Sequence, residues 1–158
     1  MRRHILAVDP GTTLSAWVYL VGGIPISHGK WPNEDVLAKL KSSPLADELL
    51  AIEAVASYGM PVGADVFRTV WWSGRFVQAY DGPHVEVYRR EVKLHHCASP
   101  KANDATIRQA ILDRFGGKDA AIGRKAAPGP LYGIKADEWS ALAIALLVHD
   151  RQEAGEPC

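Results

Sequence analysis

Three acidic residues stand beside apolar segments of this chain, at positions where a carboxylate needs a partner. Asp9 follows the apolar run of residues 5–8, and Glu53 follows the apolar run of residues 49–52. Asp137 stands at the start of the last apolar segment. Because a buried carboxylate is costly unless it is paired or bound to a metal, these three positions call for a physical explanation.

Each acid taken alone has an ordinary structural explanation. Asp9 can be the first residue of an Asp-Pro-Gly turn and bond its own backbone. Glu53 can reach solvent or an arginine at the end of its strand. Asp137 can be an acid that the dipole favours at a helix N-terminus.

Together the acids have a common explanation, which is a metal centre. In open α/β sheets, functional sites form beyond the carboxyl ends of the strands, where Asp9 and Glu53 are expected. Oxygen ligands without histidine or cysteine suit a hard cation, Mg²⁺ or Mn²⁺. Two such ions, roughly 3.5–4 Å apart, can activate a water and stabilise the leaving oxygen in phosphodiester cleavage.

The order of predicted elements explains how the acids would be positioned. Apolar and β-branched residues predict a β-meander with strands over residues 5–8, 16–21 and 24–29. Further strands are predicted over residues 49–53 and 84–88, helices over residues 33–42, 64–80, 104–115 and 136–150, and a mobile loop over residues 118–132. Asn33 and Asn103 are predicted helix caps. This order indicates an α/β fold with a mixed five-stranded sheet flanked by helices on both faces.

Composition favours a compact protein without a strongly charged partner surface. The chain has 158 residues, 47% of them apolar, and a formal net charge of zero. This length and composition predict a single domain over residues 1–152, followed by a flexible tail over residues 153–158. Cys97 and Cys158 form no disulfide framework, and no apolar run is long enough for a membrane span, so we expect a cytoplasmic protein.

Several motifs resemble those of one nuclease family. In chain order, they are Val8-Asp9-Pro10-Gly11-Thr12, Ala51-Ile52-Glu53, Val87-Tyr88 followed by Val92-Lys93, and Lys135-Ala136-Asp137 followed by Ser140-Ala141-Leu142-Ala143-Ile144-Ala145. They resemble, in order and spacing, the motifs of the RuvC-type Holliday-junction resolvases of the ribonuclease H-like superfamily, and the small phage-type members above all. Each motif alone is weak, whereas four in sequence are fairly specific.

The resemblance implies a homodimeric endonuclease for branched DNA in a bacterial cell or a phage-infected host. Asp9, Glu53 and Asp137 would hold two Mg²⁺ or Mn²⁺ ions, and Lys93 would neutralise charge at the scissile phosphate. Bacterial relatives carry a further acid three residues after Asp137, where this chain has Ser140. Glu138 or Asp104 could supply the missing negative charge, although the ordinary role of Asp104 is an acid in the first turn of a helix.

Basic residues and one loop are candidates for DNA contact, with a solvated surface as the alternative. A neutral protein can bind DNA through a local basic surface. The candidate cations, besides Lys93, are Arg89, Arg90, Lys101, Arg108, Arg124 and Lys125. Tyr58 and Met60, on the loop after Glu53, could stack on or wedge between bases, or could fold back on the next helix.

The Trp71-Trp72 pair is the candidate for part of a dimer interface, with the protein core as its alternative. The adjacent His95-His96-Cys97 is not expected to bind zinc, because in extended chain neighbouring side chains point to opposite faces. Two other functions remain open. One is a nuclease for other branched DNA or for RNA–DNA hybrids, and the other is a branched-DNA-binding module in which Ser140 marks a decayed site.

Overall fold

A computed structural model describes residues 4–45 and 47–157 of the chain, so that Cys158 lies outside the described residues. The strands are β1 His4–Asp9, β2 Leu14–Val21, β3 Ile24–Pro32, β4 Glu48–Ala54, β5 His84–Tyr88, β6 Gly123–Arg124 and β7 Ala127–Pro128. The helices are α1 Asn33–Lys41, α2 Ala64–Ala79, α3 Arg89–Cys97, α4 Asp104–Arg114, α5 Lys118–Ile122 and α6 Glu138–Glu153.

The first five strands form one mixed sheet in the order β3-β2-β1-β4-β5. The pairs β1–β2 and β2–β3 are antiparallel, whereas β1–β4 and β4–β5 are parallel. The prediction of a meander followed by alternating strands and helices is therefore confirmed. Because β1 and β4 are parallel neighbours, their carboxyl ends lie at the same edge of the sheet.

Each face of the sheet is covered by its own group of helices. Helix α6 is apolar almost all round and is fully buried from Ala141 to Val148, where it packs with residues of α3 and α4 on one face. Helices α1 and α2 cover the other face, and their buried side chains include Leu40, Trp72 and Phe76. The predicted burial of the last helix is confirmed, and this helix supplies the packing surface on which the site is built.

A β-bulge changes the register of the β2–β3 hairpin. Near the Gly22-Gly23 turn, Leu20 is opposite Pro25. One residue further from the turn, Tyr19 is opposite Ser27, so Ile26 has no partner on β2. Beyond the bulge every residue of β3 is shifted by one position relative to β2. A bulge of this kind re-aims side chains toward the opposite face of a strand.

Some elements differ from the sequence predictions. Residues 89–97 form helix α3, so His95, His96 and Cys97 are not in extended chain: His95 bonds Asp150, and His96 bonds the carbonyl of Ala143. Residues 118–132 are not irregular, because they contain α5 and the β6–β7 hairpin. Leu131 at their end is 1% exposed and anchors the segment in the core.

The orientation of α2 also buries one tryptophan of the predicted dimer contact and exposes the other. Trp72 is 5% exposed and packs against Phe76, with 5.6 Å between the ring centroids. Trp71 is 50% exposed and shares the outer surface of α2 with Phe67 and Val70. Adjacent residues on a helix lie about 100° apart around its axis, so only Trp71 can contribute to an interface.

Candidate active site

Asp9 and Glu53 lie side by side in a row of residues that crosses the sheet. Ala16 of β2 is opposite Asp9 on one side, and Lys30 of β3 is opposite Ala16. On the other side, the pairing of Val8 with Ile52 places Glu53 next to Asp9. Residues opposite one another on neighbouring strands point to the same face. Lys30, Ala16, Asp9 and Glu53 therefore share the face that α6 covers.

A closed ring of hydrogen bonds holds the turn that follows Asp9. The backbone N–H of Gly11 donates to Ser15 Oγ at 3.0 Å, and Ser15 Oγ donates to Asn33 Oδ1 at 2.6 Å. Asn33 Nδ2 donates to the carbonyl of Gly11 at 3.0 Å, which closes the ring. Ser15 and Asn33 are 1% and 2% exposed. Asn33 was predicted to cap α1, but its side chain fastens the Asp9 turn instead.

The surroundings of Asp9 raise the pKa of its carboxyl group to about 9. Burial is the largest cause, because it disfavours the charged form. The negative charge of Glu53, a hydrogen bond to Glu53 and the charge of Asp137 act in the same direction, and the positive charge of Arg89 acts against them. In the absence of a cation Asp9 therefore keeps its proton at neutral pH and is hydrogen-bonded to Glu53.

Strand β3 contacts the two acids at the start of α6 with two alternate residues. Lys30 Nζ lies 2.6 Å from Asp137 Oδ2, in a pair that is accessible to solvent. His28 Nδ1 lies 2.7 Å from Glu138 Oε1, and the backbone N–H of Lys135 donates to Glu138 Oε2 at 3.0 Å. Glu138 is only 3% exposed. Its carboxylate thus anchors the beginning of α6, and both its oxygens already have partners.

A cavity of about 370 Å³ opens beside Asp137 and Ser140. Its lining includes Arg89, which forms an ion pair with Asp104. It also includes Arg108, whose guanidinium lies 4.7 Å from the centre of the Trp139 ring. Asp104 therefore faces the same cavity as Asp137, although a cation already neutralises it. The cavity brings two guanidinium groups next to the acids, which suits an anionic ligand.

The other predicted contact residues lie around this edge of the fold or on exposed loops. Lys93 is half-buried on α3, one turn beyond Arg89, so both lie on one face of the helix. It is Arg89, and not Lys93, whose charge acts on the Asp9 carboxyl. The remaining predicted residues are exposed, namely Tyr58, Met60, Arg90, Lys101, Arg124 and Lys125.

The acids supply oxygen donors for a divalent cation, but they do not converge in the described residues. In residues 4–45 and 47–157, no group of three histidine, cysteine, aspartate or glutamate side chains is arranged to hold a metal ion. Asp9 is bonded to Glu53, and Asp137 is bonded to Lys30. The donor chemistry nevertheless fits Mg²⁺ or Mn²⁺. After burial, the negative charges of Glu53 and Asp137 are further causes of the raised pKa of Asp9, and a cation at this site would offset them.

The mixed five-stranded sheet with helices on both faces is that of a ribonuclease H-like α/β fold. The chain superposes on a structure of RuvC from Thermus thermophilus with a TM-score of 0.68, 17% identity and coverage of 96% of each chain. It superposes on T. thermophilus RuvC in complex with Holliday junction substrate with a TM-score of 0.69, 16% identity and the same coverage. No protein-family model and no curated protein sequence matches the chain. The chain therefore has the RuvC-type resolvase fold, and the predicted fold resemblance is confirmed.

Two residues of the site were not predicted from the sequence, and both lie on β3. In sequence, His28 and Lys30 look like surface residues of a polar hairpin strand, and only the bulge brings them to the face that carries the acids.

A helix that spans a membrane requires a minimum length and hydropathy. None of the helices in the described part of the chain is long and apolar enough to cross a membrane.

Proposed function

We propose that this protein is a divalent-metal-dependent endonuclease that resolves four-way DNA junctions. The observation that carries the proposal is the pair Asp9–Glu53 at the carboxyl ends of neighbouring parallel strands, with the charge of Asp137 acting on the same site. The fold adds weight, because T. thermophilus RuvC with this fold was solved in complex with Holliday junction substrate. On this proposal residues 1–152 act as one nuclease domain in the cytoplasm.

The acids would act as ligands after Asp9 has lost its proton. Asp9, Glu53 and Asp137 would hold one or two Mg²⁺ or Mn²⁺ ions, and Asp104 is the better placed of the two candidates for additional negative charge, because it faces the cavity that Asp137 lines. The bound cations would supply an activated water and would stabilise the leaving oxygen. Carboxylate ligation requires the deprotonated form, so Asp9 must pass its proton to solvent before it can bind a metal.

The cations around the acids would receive the DNA backbone. Arg89 and Lys93 share one face of α3, and Arg89 lies close enough to affect the Asp9 carboxyl. Arg108 faces the same cavity from α4. Guanidinium groups bind phosphate oxygens through paired N–H donors, so we assign Arg89 and Arg108 to backbone phosphates and Lys93 to the scissile phosphate. The exposed Arg90, Lys101, Arg124 and Lys125 would extend this contact with the arms of the junction.

The loop between β4 and α2 is the candidate contact with the opened junction centre. Tyr58 and Met60 are 60% and 69% exposed, so they do not fold back on α2. Tyr58 also has a positive φ of 49° beside Gly59. Exposed apolar groups on a loop that follows a site acid can stack on unpaired bases.

The outer surface of α2 is the candidate dimer interface. Phe67, Val70 and Trp71 are 65%, 47% and 50% exposed, and the guanidinium groups of Arg68 and Arg75 lie 4.6 Å and 4.8 Å from the Trp71 ring. Exposed apolar side chains rimmed by arginine are typical of protein interfaces. Sedimentation equilibrium of Trp71→Ala should show a shift to monomer, whereas Ile26→Ser, which removes an equally exposed apolar group on β3, should not dissociate the protein.

A second function is favoured by Ser140. On this alternative the missing acid marks a decayed site, and the protein only binds branched DNA. Ser140→Asp separates the two, because it restores an acid three residues after Asp137, beside the same cavity. Cleavage of a junction by this variant but not by the unmodified protein would favour the binding module.

The decisive experiment compares substrates and metals. A synthetic four-way junction, a linear duplex, a flap and an RNA–DNA hybrid are incubated with Mg²⁺ or with EDTA. We expect Mg²⁺-dependent paired nicking of the junction, loss of nicking in Asp9→Asn, and unchanged junction binding by that variant. Asp81→Asn is the matched control, since Asp81 is exposed between α2 and β5, at the opposite edge of the sheet. Equal cleavage by Asp9→Asn would refute the assigned site.

A further inference from the structure

Lys30 belongs to the acid row, although it comes from the far strand of the meander. It is opposite Ala16, and Ala16 is opposite Asp9, so Lys30 stands two strands from Asp9 on the same face. Neighbouring strands are separated by about 4.8 Å, which places the two Cα atoms about 10 Å apart. The residue between them is alanine, so no side chain larger than a methyl group stands in the way. A lysine stem can cross this distance.

The present partner of Lys30 is Asp137. Its Nζ lies 2.6 Å from Asp137 Oδ2, and the two side chains are 35% and 56% exposed. Within the part of the chain that the structure describes, Lys30 has no other ion pair. Lysine is a compact charge on a flexible stem, so it can exchange one anionic partner for another without rearranging the backbone.

Lys30 is not required to hold the start of α6 in place. The buried Glu138 carboxylate does this, through His28 on one oxygen and the backbone N–H of Lys135 on the other. The Lys30–Asp137 pair is exposed by comparison. His28, which helps to hold Glu138, and Lys30, which is free to exchange its partner, thus lie at alternate positions of the same strand.

We propose that Lys30 is a functional residue with two successive partners. In the metal-free protein it neutralises Asp137, and when Asp137 binds a divalent cation Lys30 is released to a DNA backbone phosphate at the same edge of the sheet. Two positive charges on one carboxylate repel, so metal binding and the Lys30–Asp137 pair compete. The freed ammonium remains in the row of Asp9 and Glu53, where a phosphate would need a counter-charge.

This inference rests on the proposed function, and it predicts effects of opposite sign on metal and on DNA. In Lys30→Met the competitor for Asp137 is gone, so we expect the Kd for Mn²⁺, measured by titration calorimetry, to fall about three- to tenfold. For junction binding in Ca²⁺, with cleavage monitored in the same sample, we expect the slope of log K against log salt to become shallower by about 1. Lys30→Arg should restore the slope.

The charge-matched control is Lys41→Met. Lys41 ends α1, on the opposite face of the sheet from α6 and away from the Asn33 end of the helix that touches the Asp9 turn. We expect this variant to change neither the Mn²⁺ affinity nor the salt slope. Thermal unfolding and circular dichroism establish that each variant is folded.

Two results would overturn the inference. Weaker Mn²⁺ binding in Lys30→Met would mean that Lys30 supports Asp137 as a ligand instead of competing for it. An unchanged salt slope would mean that Lys30 does not reach a phosphate. The Mn²⁺ titration requires no cleavage, so it gives its answer even if the unmodified protein proves not to be a nuclease.

Discussion

The carboxyl groups of Asp9 and Glu53 are joined by a hydrogen bond between β1 and β4, at the ends of two buried parallel strands. Two carboxyl groups this close can share such a bond only if one of them carries a proton. Burial and the neighbouring acids place that proton on Asp9, whose pKa is raised to about 9. Without metal, the protonated Asp9 carboxyl can therefore lie beside Glu53 and bond it.

The first prediction concerns the stability of the metal-free protein. An aspartate in the unfolded chain loses its proton near pH 3.9, whereas Asp9 in the folded protein keeps it up to about pH 9. The folded state holds the extra proton within this window, so the free energy of unfolding should fall as pH rises, by at most about 1.4 kcal/mol per pH unit. Urea titrations in EDTA between pH 5.5 and 8.5 measure this slope.

Asp9→Asn should reduce the slope, because asparagine has no proton to lose. Asp81→Asn, which changes an exposed aspartate far from the row, should keep it. A slope that is the same in all three proteins would show that Asp9 is ionised in the metal-free fold.

The second prediction concerns the protons released by metal. Ligation needs the carboxylate form, and Asp9 is protonated at pH 7.5. Binding of Mn²⁺ should therefore release about one proton. Calorimetric titrations in buffers of different ionisation enthalpy give this number directly. No release by the unmodified protein, or the same release by Asp9→Asn, would exclude Asp9 as the source.

The third prediction concerns His96, far from the acids on α3. Burial lowers the pKa of its imidazole, and the hydrogen bond to the carbonyl of Ala143 only partly opposes this. The unfolded chain takes up a proton near pH 6.5 that the folded protein accepts only at lower pH. The His96 contribution to stability is therefore complete above pH 6.5 and is lost as pH falls below it.

His96→Gln tests this directly, because the glutamine amide can still donate to Ala143 but cannot become charged. Relative to the unmodified protein, the variant should gain up to about 1.4 kcal/mol per pH unit below pH 6.5. His84→Gln, at an exposed position of β5, should show no such gain. An identical pH profile for His96→Gln and the unmodified protein would contradict the prediction.

The fourth prediction concerns the ring that holds the Asp9 turn. Ser15→Ala removes the acceptor for Gly11 N–H, in a partly buried setting, and the donor for Asn33 Oδ1, in a buried one. An unmade buried hydrogen bond costs about 1–3 kcal/mol, so we expect a loss of stability of this size in urea titrations. Mn²⁺ affinity should also fall, since the turn positions Asp9. Ser27→Ala, at an exposed position of β3, should change neither quantity.

The positions of Asp9 and Glu53 could be predicted because they depend on simple patterns. Continuous apolar runs predict buried parallel strands, and an acid at the end of each run must then lie at the carboxyl edge of the sheet. The buried last helix could likewise be predicted from its composition. The geometry of these parts follows from local sequence and from one general rule of α/β folds.

Other parts depend on contacts that no local pattern reveals. Helix α3 is polar in sequence. Long-range bonds to the last turns of α6 hold it, where His95 bonds Asp150 and Glu91 accepts from Arg151. The rotation of α2, which buries Trp72 and exposes Trp71, depends on how the helix packs on the sheet. Asn33 has an equally good local use as a helix cap, and only the folded Asp9 turn gives it a better one.

The bulge at Ile26 determines which residues of β3 point toward α6 and which point toward α1. Counted from the Gly22-Gly23 turn without the bulge, Gly29 would be opposite Ala16, and Lys30 would point toward α1. The extra residue reverses which side chains of β3 point to each face of the sheet, so His28 and Lys30 face the acids. Gly29 lies against the Trp17 and Trp31 rings, where a Cβ would come within 3.0 Å of Trp17 Nε1. The number of residues between the turn and the rest of β3 thus decides which face of the sheet His28 and Lys30 occupy. A relative with the same residues but without the bulge residue would have both side chains on the face of the sheet away from the acids.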